Sequence, residues 1–435
     1  MNKDIRIEKL REIVENATPR ARKDIHYKGE QKTMDVFEVP LEYLIFNQYN
    51  GRIATFVKTH EKQHEPIDAT TQEGEKLINQ FLWDSQKSRN KTTQEDLREK
   101  GQLEYGIVTA DGVVIDGNRR FMLLKKNKEK HADATGYFKA IILEDTLESN
   151  PKEIMRLETT YQLGVDDKVD YSPIQKYLKC RDLGEEGFSE KEIAKMMREN
   201  EPKIKEYLAT LELMDEYLTA QGYEGMYRAL ESDDRPLTTQ LEELNLWLSK
   251  YRGERKQIRK MNWQPNAEDL ADFQTVYFDY MRAGFEVRDT RIIGNPSTGA
   301  KGQGIFTQKD LWAAFAKNHF DNVESGMNDD KPLQEMRDKN PGIDVVDLIS
   351  ARDTAFREKI EGPLKGNLNR TKRELEDREM EHEPLELLTR AKKTLEKVKP
   401  DVETFGTLEV RALAKEIQSM AYDFMKLADE KMKNK

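Results

Sequence analysis

Between Gly106 and Asn127 the chain reads GIVTADGVVIDGNRRFMLLKKN. No other stretch restricts the fold as strongly. Asp111-Gly112 is a hairpin-turn signal. Val113, Val114 and Ile115 form an apolar run of the kind found in strands covered on both faces. Asp116-Gly117 ends that strand, and RRFMLLKKN continues as a helix. Glycine reaches backbone angles that other residues avoid and lets a ligand approach the main chain. The helix start after it carries free N–H groups and the positive end of the helix dipole, where an anion is stabilised. Two adjacent cations, Arg119 and Arg120, oppose that dipole by about 0.3–1 kcal/mol each. An anionic partner reverses this cost, because guanidinium groups form bidentate, charge-assisted bonds to phosphate oxygens. The alternative is a pair of solvated arginines.

The flanking pattern places this unit in an α+β domain. MDVFEVPLEYLIF reads as a strand followed by a short helix or turn, and YFKAIILED as a further buried strand. PKEIMRLETTYQL is a helix with Pro151 near its start. Residues 54–100 are polar and lack a strand pattern, so they read as a helix-bearing insertion around EKLINQFLWDSQ. Residues 4–16 read as a short amphipathic helix that TPRARKD terminates. From Tyr171 onward, apolar residues recur at steps of three and four, as in LTTQLEELNLWLSKY and AEDLADFQTVYFDYM. Val410, Leu413, Ile417, Met420, Phe424 and Leu427 form one apolar face on the last helix, suited to docking or to pairing with another subunit. The expected organisation is a helical extension over 1–34, an α+β domain over 35–163, a helix-turn-helix over 164–218, a helical domain over 219–340 and a C-terminal helical region over 341–435.

The 435 residues include 35% charged and 37% hydrophobic residues, with a formal net charge of −10. A dedicated nucleic-acid coat protein is usually basic, so any DNA contact must come from a local patch. One cysteine, Cys180, excludes an internal disulfide and a cysteine-rich zinc site. No apolar run approaches a membrane span and no signal peptide opens the chain, so no membrane partner and a cytoplasmic location are expected.

The segments VPLEYLIFNQYNGR, EDLREKGQLEYGIVTADGVVIDGNRRFMLL and FKAIILED together resemble the N-terminal domain of the ParB/sulfiredoxin superfamily. In ParB proteins a Gly-Glu-Arg-Arg turn contacts the triphosphate of CTP, and some relatives use ATP. Gly117, Arg119 and Arg120 match that turn, and Asn118 replaces the glutamate that assists hydrolysis. Arg52 matches an arginine close to the nucleotide. Asn118 also stands where sulfiredoxins carry their catalytic cysteine, which excludes that chemistry. The family's next Glu-Asn pair holds phosphate and Mg²⁺; Glu158 and Thr159, with Gln162 as a further candidate, are its nearest counterparts here. Asp116 has two readings, a ligand of phosphate-bound Mg²⁺ and a turn aspartate bonding its own backbone. The resemblance thus implies CTP or ATP with Mg²⁺ as cofactor. Arg52, Gly117, Asn118, Arg119, Arg120 and Thr159 would bind it, and Asn118, Asp116 and Glu158 are the candidate catalytic or metal groups.

The second part of the resemblance is a helix-turn-helix. Ser189 and Glu192 form a capping box. Ile193, Ala194 and Met197 suit one short helix, and Ile204, Leu208 and Leu211 the next. Lys203 and Lys205 could reach DNA, yet Glu190, Glu192, Glu199, Glu201 and Glu206 balance the local cations. Such a unit is not a strong DNA binder alone. Packing or protein contact is the alternative role. A second basic patch holds Arg252, Arg255, Lys256, Arg259 and Lys260 among Trp247, Tyr251 and Trp263, a mixture that suits a nucleic-acid backbone and unstacked bases. A solvated helix face with the tryptophans in the core is the favoured reading of this patch.

Other signals fail. GNPSTGAKGQG is not a P-loop, since Ala300 separates Gly299 from Lys301 and Gly302 follows; a loop, or a lid over a ligand, is expected there. His60 and His64 lack a third ligand nearby. The expected function is a nucleotide-binding switch that acts on or near DNA as a homodimer, in a plasmid, phage or other mobile element. Slow hydrolysis of the nucleotide is compatible with it. The alternatives are an ATP-dependent kinase or DNA nuclease of the same superfamily and a nucleotide-free adaptor.

Overall fold

A six-stranded mixed sheet organises the first third of the chain, and the rest is helical. The computed structural model describes residues 1–163, 171–231, 237–255, 261–294, 304–327, 330–381 and 384–433. After helix α1 (Lys3–Asn16) come β1 (Ala21–Tyr27), β2 (Glu30–Pro40) and β3 (Ile45–Phe46), then helices α2 (Ala54–Glu61), α3 (Gln72–Asp84) and α4 (Lys87–Lys100). Strands β4 (Gly106–Val108) and β5 (Val113–Asp116) lead into α5 (Asn118–Lys130), followed by β6 (Tyr137–Ile142) and α6 (Pro151–Leu163). The strand order is β1-β2-β6-β4-β5-β3. Pairing is parallel for β4 with β6 and for β3 with β5, and antiparallel elsewhere.

Successive strand residues face opposite sides. Val108, Val114, Phe138 and Ala140 join Phe46, Phe121 and Met122 in one core, while Ile107, Ile115 and Ile141 join Ile154 and Leu157 in the other. The sheet is therefore covered on both faces, by α5 with α3 on one side and by α6 on the other. This explains why Val113–Ile115 is apolar throughout.

The N-terminal segment departs from expectation. Residues 21–34 are not a helical extension but most of an edge hairpin, β1 on β2. Arg20 and Arg22 are exposed, whereas Lys23 shares a face with Ile25 and Tyr27, which are 1% exposed, and donates to the Tyr105 carbonyl. Two inward residues in a charged run gave too short a period-two signal to read.

Helices α7 (Pro173–Glu185), α8 (Glu190–Met197) and α9 (Glu201–Ala220) follow where the helix-turn-helix is expected. The Ser189–Glu192 capping box is present, and Arg198 adopts the left-handed turn conformation at φ 55°. Then follow α10 (Leu237–Tyr251), α11 (Ala267–Arg282), α12 (Val287–Gly294), α13 (Lys309–Met327), α14 (Leu333–Lys339), α15 (Val345–Glu381), α16 (Pro384–Leu395) and α17 (Leu408–Lys433). The chain divides into a larger unit holding most of residues 1–368 and a smaller one of residues 369–435. The segments expected as separate domains up to residue 340 belong to the larger unit. In the smaller unit α17 has no buried residue. No helix among the described residues is long and apolar enough to cross a membrane.

Candidate functional site

Strand β5 ends at Asp116 and the chain turns at Gly117 into α5. Gly117 has φ +99°, and a Cβ there would stand 2.8 Å from the Phe138 ring and 3.0 Å from the Arg120 guanidinium. Only glycine satisfies both the backbone angle and the contact. The turn borders a cleft of about 370 Å³. Five cationic residues line it, namely Arg52, Arg89, Lys100, Arg119 and Arg120, against three acids, Asp96, Glu104 and Asp116. The N-terminal end of α5 opens onto the same space, so helix dipole and side chains add in sign.

Each expected binding arginine is held by its neighbours. Arg120 Nη2 lies 3.1 Å from Asp116 Oδ2, the two side chains being 18% and 6% exposed. Arg119 donates from Nε to Asn90 Oδ1 at 2.6 Å and from Nη1 to Gln86 Oε1 at 3.0 Å, which fixes it against the α3–α4 junction. Arg52 sits in a short 3₁₀ turn capped by Asn50, whose Oδ1 accepts from the Arg52 N–H. Its carbonyl accepts from Gln175 on α7 at 3.0 Å, and its guanidinium lies 5.7 Å from the Tyr171 ring centre. Arg89 and Lys100 escaped sequence reasoning. They stand on α4, whose charged sequence carries no motif that separates cleft-facing cations from solvated ones.

The expected catalytic and metal residues are placed differently. Asn118 borders the cleft, but its side chain serves the fold. It donates to the Val114 carbonyl at 2.6 Å and accepts from the Asn47 N–H at 3.0 Å, both buried bonds. Glu158 is 3% exposed and pairs with Lys179 Nζ at 2.7 Å, while also accepting from Asn47 Nδ2 and Gln162 Nε2. Burial pushes its carboxyl above the ordinary range, and Lys179 partly offsets that rise. Thr159 is fully buried and donates back to the Met155 carbonyl. Neither Glu158 nor Thr159 borders the cleft. Asp116 does, facing Arg120.

Asp116 and Glu158 thus each confront a cation. Among the described residues no group of three or more His, Cys, Asp or Glu side chains is placed to hold a metal ion. A Mg²⁺ arriving here would be held chiefly by phosphate oxygens, with Asp116 the one expected carboxylate within the cleft.

Three of the expected DNA contacts are paired with acids. Lys203 pairs with Glu206 at 2.7 Å, Lys205 with Glu190 and Glu201 at 3.3 Å each, and Arg255 with Glu206 at 3.3 Å. Arg252 is exposed. Lys256, Arg259 and Lys260 lie outside the described residues, as does most of the GNPSTGAKGQG loop. Trp247 is 1% exposed, Tyr251 donates to the Gly294 carbonyl and Trp263 to that of Phe306, so these aromatics pack inward.

No protein-family model matches the chain, and no curated protein matches it.

Proposed function

We propose that this chain is a ParB-like nucleotide-binding switch protein, which grips the phosphates of CTP or ATP with Mg²⁺ in the cleft at Gly117–Arg120. The observation that carries the reading is the convergence of Arg52, Arg89, Lys100, Arg119 and Arg120 on one helix N-terminus behind a left-handed glycine. Cations at that end of a helix are unfavourable alone and favourable around a polyanion.

Binding is better supported than catalysis. Asn118 bonds the Val114 carbonyl and the Asn47 N–H, and Glu158 is paired away from the cleft, which leaves Asp116 as the remaining candidate for acid–base or metal work. Slow hydrolysis is the most this arrangement suggests, and the kinase and nuclease readings have little to build on. Action on DNA would require the Lys203, Lys205 and Arg255 ion pairs to open, so it would be conditional and sensitive to salt. The same reading includes a homodimer joined through the exposed apolar face of α17.

Thermal melting with each nucleoside triphosphate and Mg²⁺ tests the reading. A ligand at 100 times its Kd stabilises the native state by about 2.7 kcal/mol. CTP or ATP should raise the melting temperature of the wild type and raise that of Arg120→Ala by no more than about half as much. No shift with any triphosphate at millimolar concentration would favour a nucleotide-free adaptor.

A further inference from the structure

Behind Arg52 and Arg119 lies a second, larger cavity of about 740 Å³, within the size range of ordinary ligand pockets. These two arginines line both spaces. The far wall includes one face of α15, where Asp347, Ser350 and Thr354 follow at steps of three and four. Ser172 at the start of α7 and Glu231 after α9 close another side.

The two spaces differ in charge. The smaller cleft has five cationic residues against three acids. Beyond the shared arginines, the larger cavity has two cations, Arg228 and Arg282, against four carboxylates, Asp84, Glu231, Asp347 and Asp353. Both of those cations are already engaged. Arg228 holds Asp344 at 2.9 Å, and Arg282 holds Asp330 and Asp353 at 2.9 Å each. Glu231 accepts from the Ser172 hydroxyl at 2.5 Å. Asp353 is thus paired, and Asp84 lies 3.1 Å from Lys87 Nζ. The carboxylates still outnumber the added cations, which disfavours phosphate, and with the hydroxyls of Ser172, Ser350 and Thr354 they offer acceptors to hydroxyl and amino donors.

We propose that the larger cavity receives the hydroxyl- and amino-bearing body of a phosphorylated ligand whose phosphates occupy the smaller cleft, with Arg52 and Arg119 at the junction. The inference rests on the phosphate reading of that cleft and adds the place of the nucleoside to it. The site selects a nucleotide over bare polyphosphate and fixes its direction, phosphates toward Gly117 and nucleoside toward α15. A bound nucleotide then touches both the sheet-bearing part of the chain and the α15 wall.

Equilibrium titrations of the full chain with MgATP, MgCTP and inorganic tripolyphosphate test this. Ser350→Trp and Thr354→Trp, both at exposed α15 positions, place an indole in the chamber, and melting curves check that each folds. The wild type should bind one nucleotide at least tenfold tighter than tripolyphosphate, and each tryptophan should erase that preference. Equal affinities in the wild type, or an unchanged preference in both variants, would overturn the inference while tripolyphosphate binding kept the phosphate cleft intact. Failure of the wild type to bind any of the three would remove the cleft reading, and the inference with it.

Discussion

Glu158 illustrates how burial redirects a carboxylate. With both its own side chain and that of Lys179 at 4% exposure or less, the pair has left water almost completely. Such a pair adds little over an apolar substitute, but removing one partner strands a charge and costs about 3–5 kcal/mol. Glu158→Ala should therefore lower stability by that amount in urea denaturation, while Glu158→Leu/Lys179→Met recovers most of it. A loss below 1 kcal/mol for the single variant would show that Lys179 finds water or another partner. Gly117 tests the turn itself. Gly117→Ala forces a side chain into a left-handed angle against Phe138 and should cost about 1–3 kcal/mol, together with phosphate affinity. The glycine and its arginines were legible in the sequence because backbone angle, helix start and charge all bear on the same four residues. The internal bonds of Asn118 were not, since they depend on Asn47, which is 71 positions away.

At the scale of elements, position decides what a helix can do. α9 stands where a recognition helix would, yet it buries Ile204, Tyr207, Leu211, Met214 and Leu218 against its neighbours, and its exposed side chains include Glu201, Glu212 and Glu216. The spacing suggested a helix-turn-helix with packing as its alternative role, and α9 packs against its chain neighbours α7, α8 and α10. α17 presents the opposite case. Its apolar row at steps of three and four is a coiled-coil seam, and Leu413, Met420, Phe424 and Leu427 are each more than half exposed. Ala414, Ala421 and Ala428 flank one side of the seam, and Glu409, Glu416, Asp423 and Glu430 the other. Two parallel copies place acids beside alanines, whereas antiparallel copies oppose acid to acid. Sedimentation equilibrium should give twice the chain mass for the wild type and a monomer for Ile417→Asp/Phe424→Asp. A monomeric wild type at tens of micromolar would assign that face to a different partner.

Across the whole molecule, the sheet and the helices through residue 368 belong largely to one unit, although the sequence suggested several domains. Composition shifts mark changes of secondary structure and not losses of contact, and the Glu158–Lys179 and Arg52–Gln175 links join α7 to the α+β part. Both spaces proposed for the ligand lie within that unit. Isothermal titration of the wild type and Arg120→Ala with tripolyphosphate, MgCTP and MgATP goes straight to the central claim, that the Gly117 turn and its arginines form a polyphosphate grip. The account predicts saturable binding at one site per chain, weakened at least tenfold in Arg120→Ala and by rising salt. Binding of equal strength in Arg120→Ala, or none in the wild type at millimolar ligand, would contradict it.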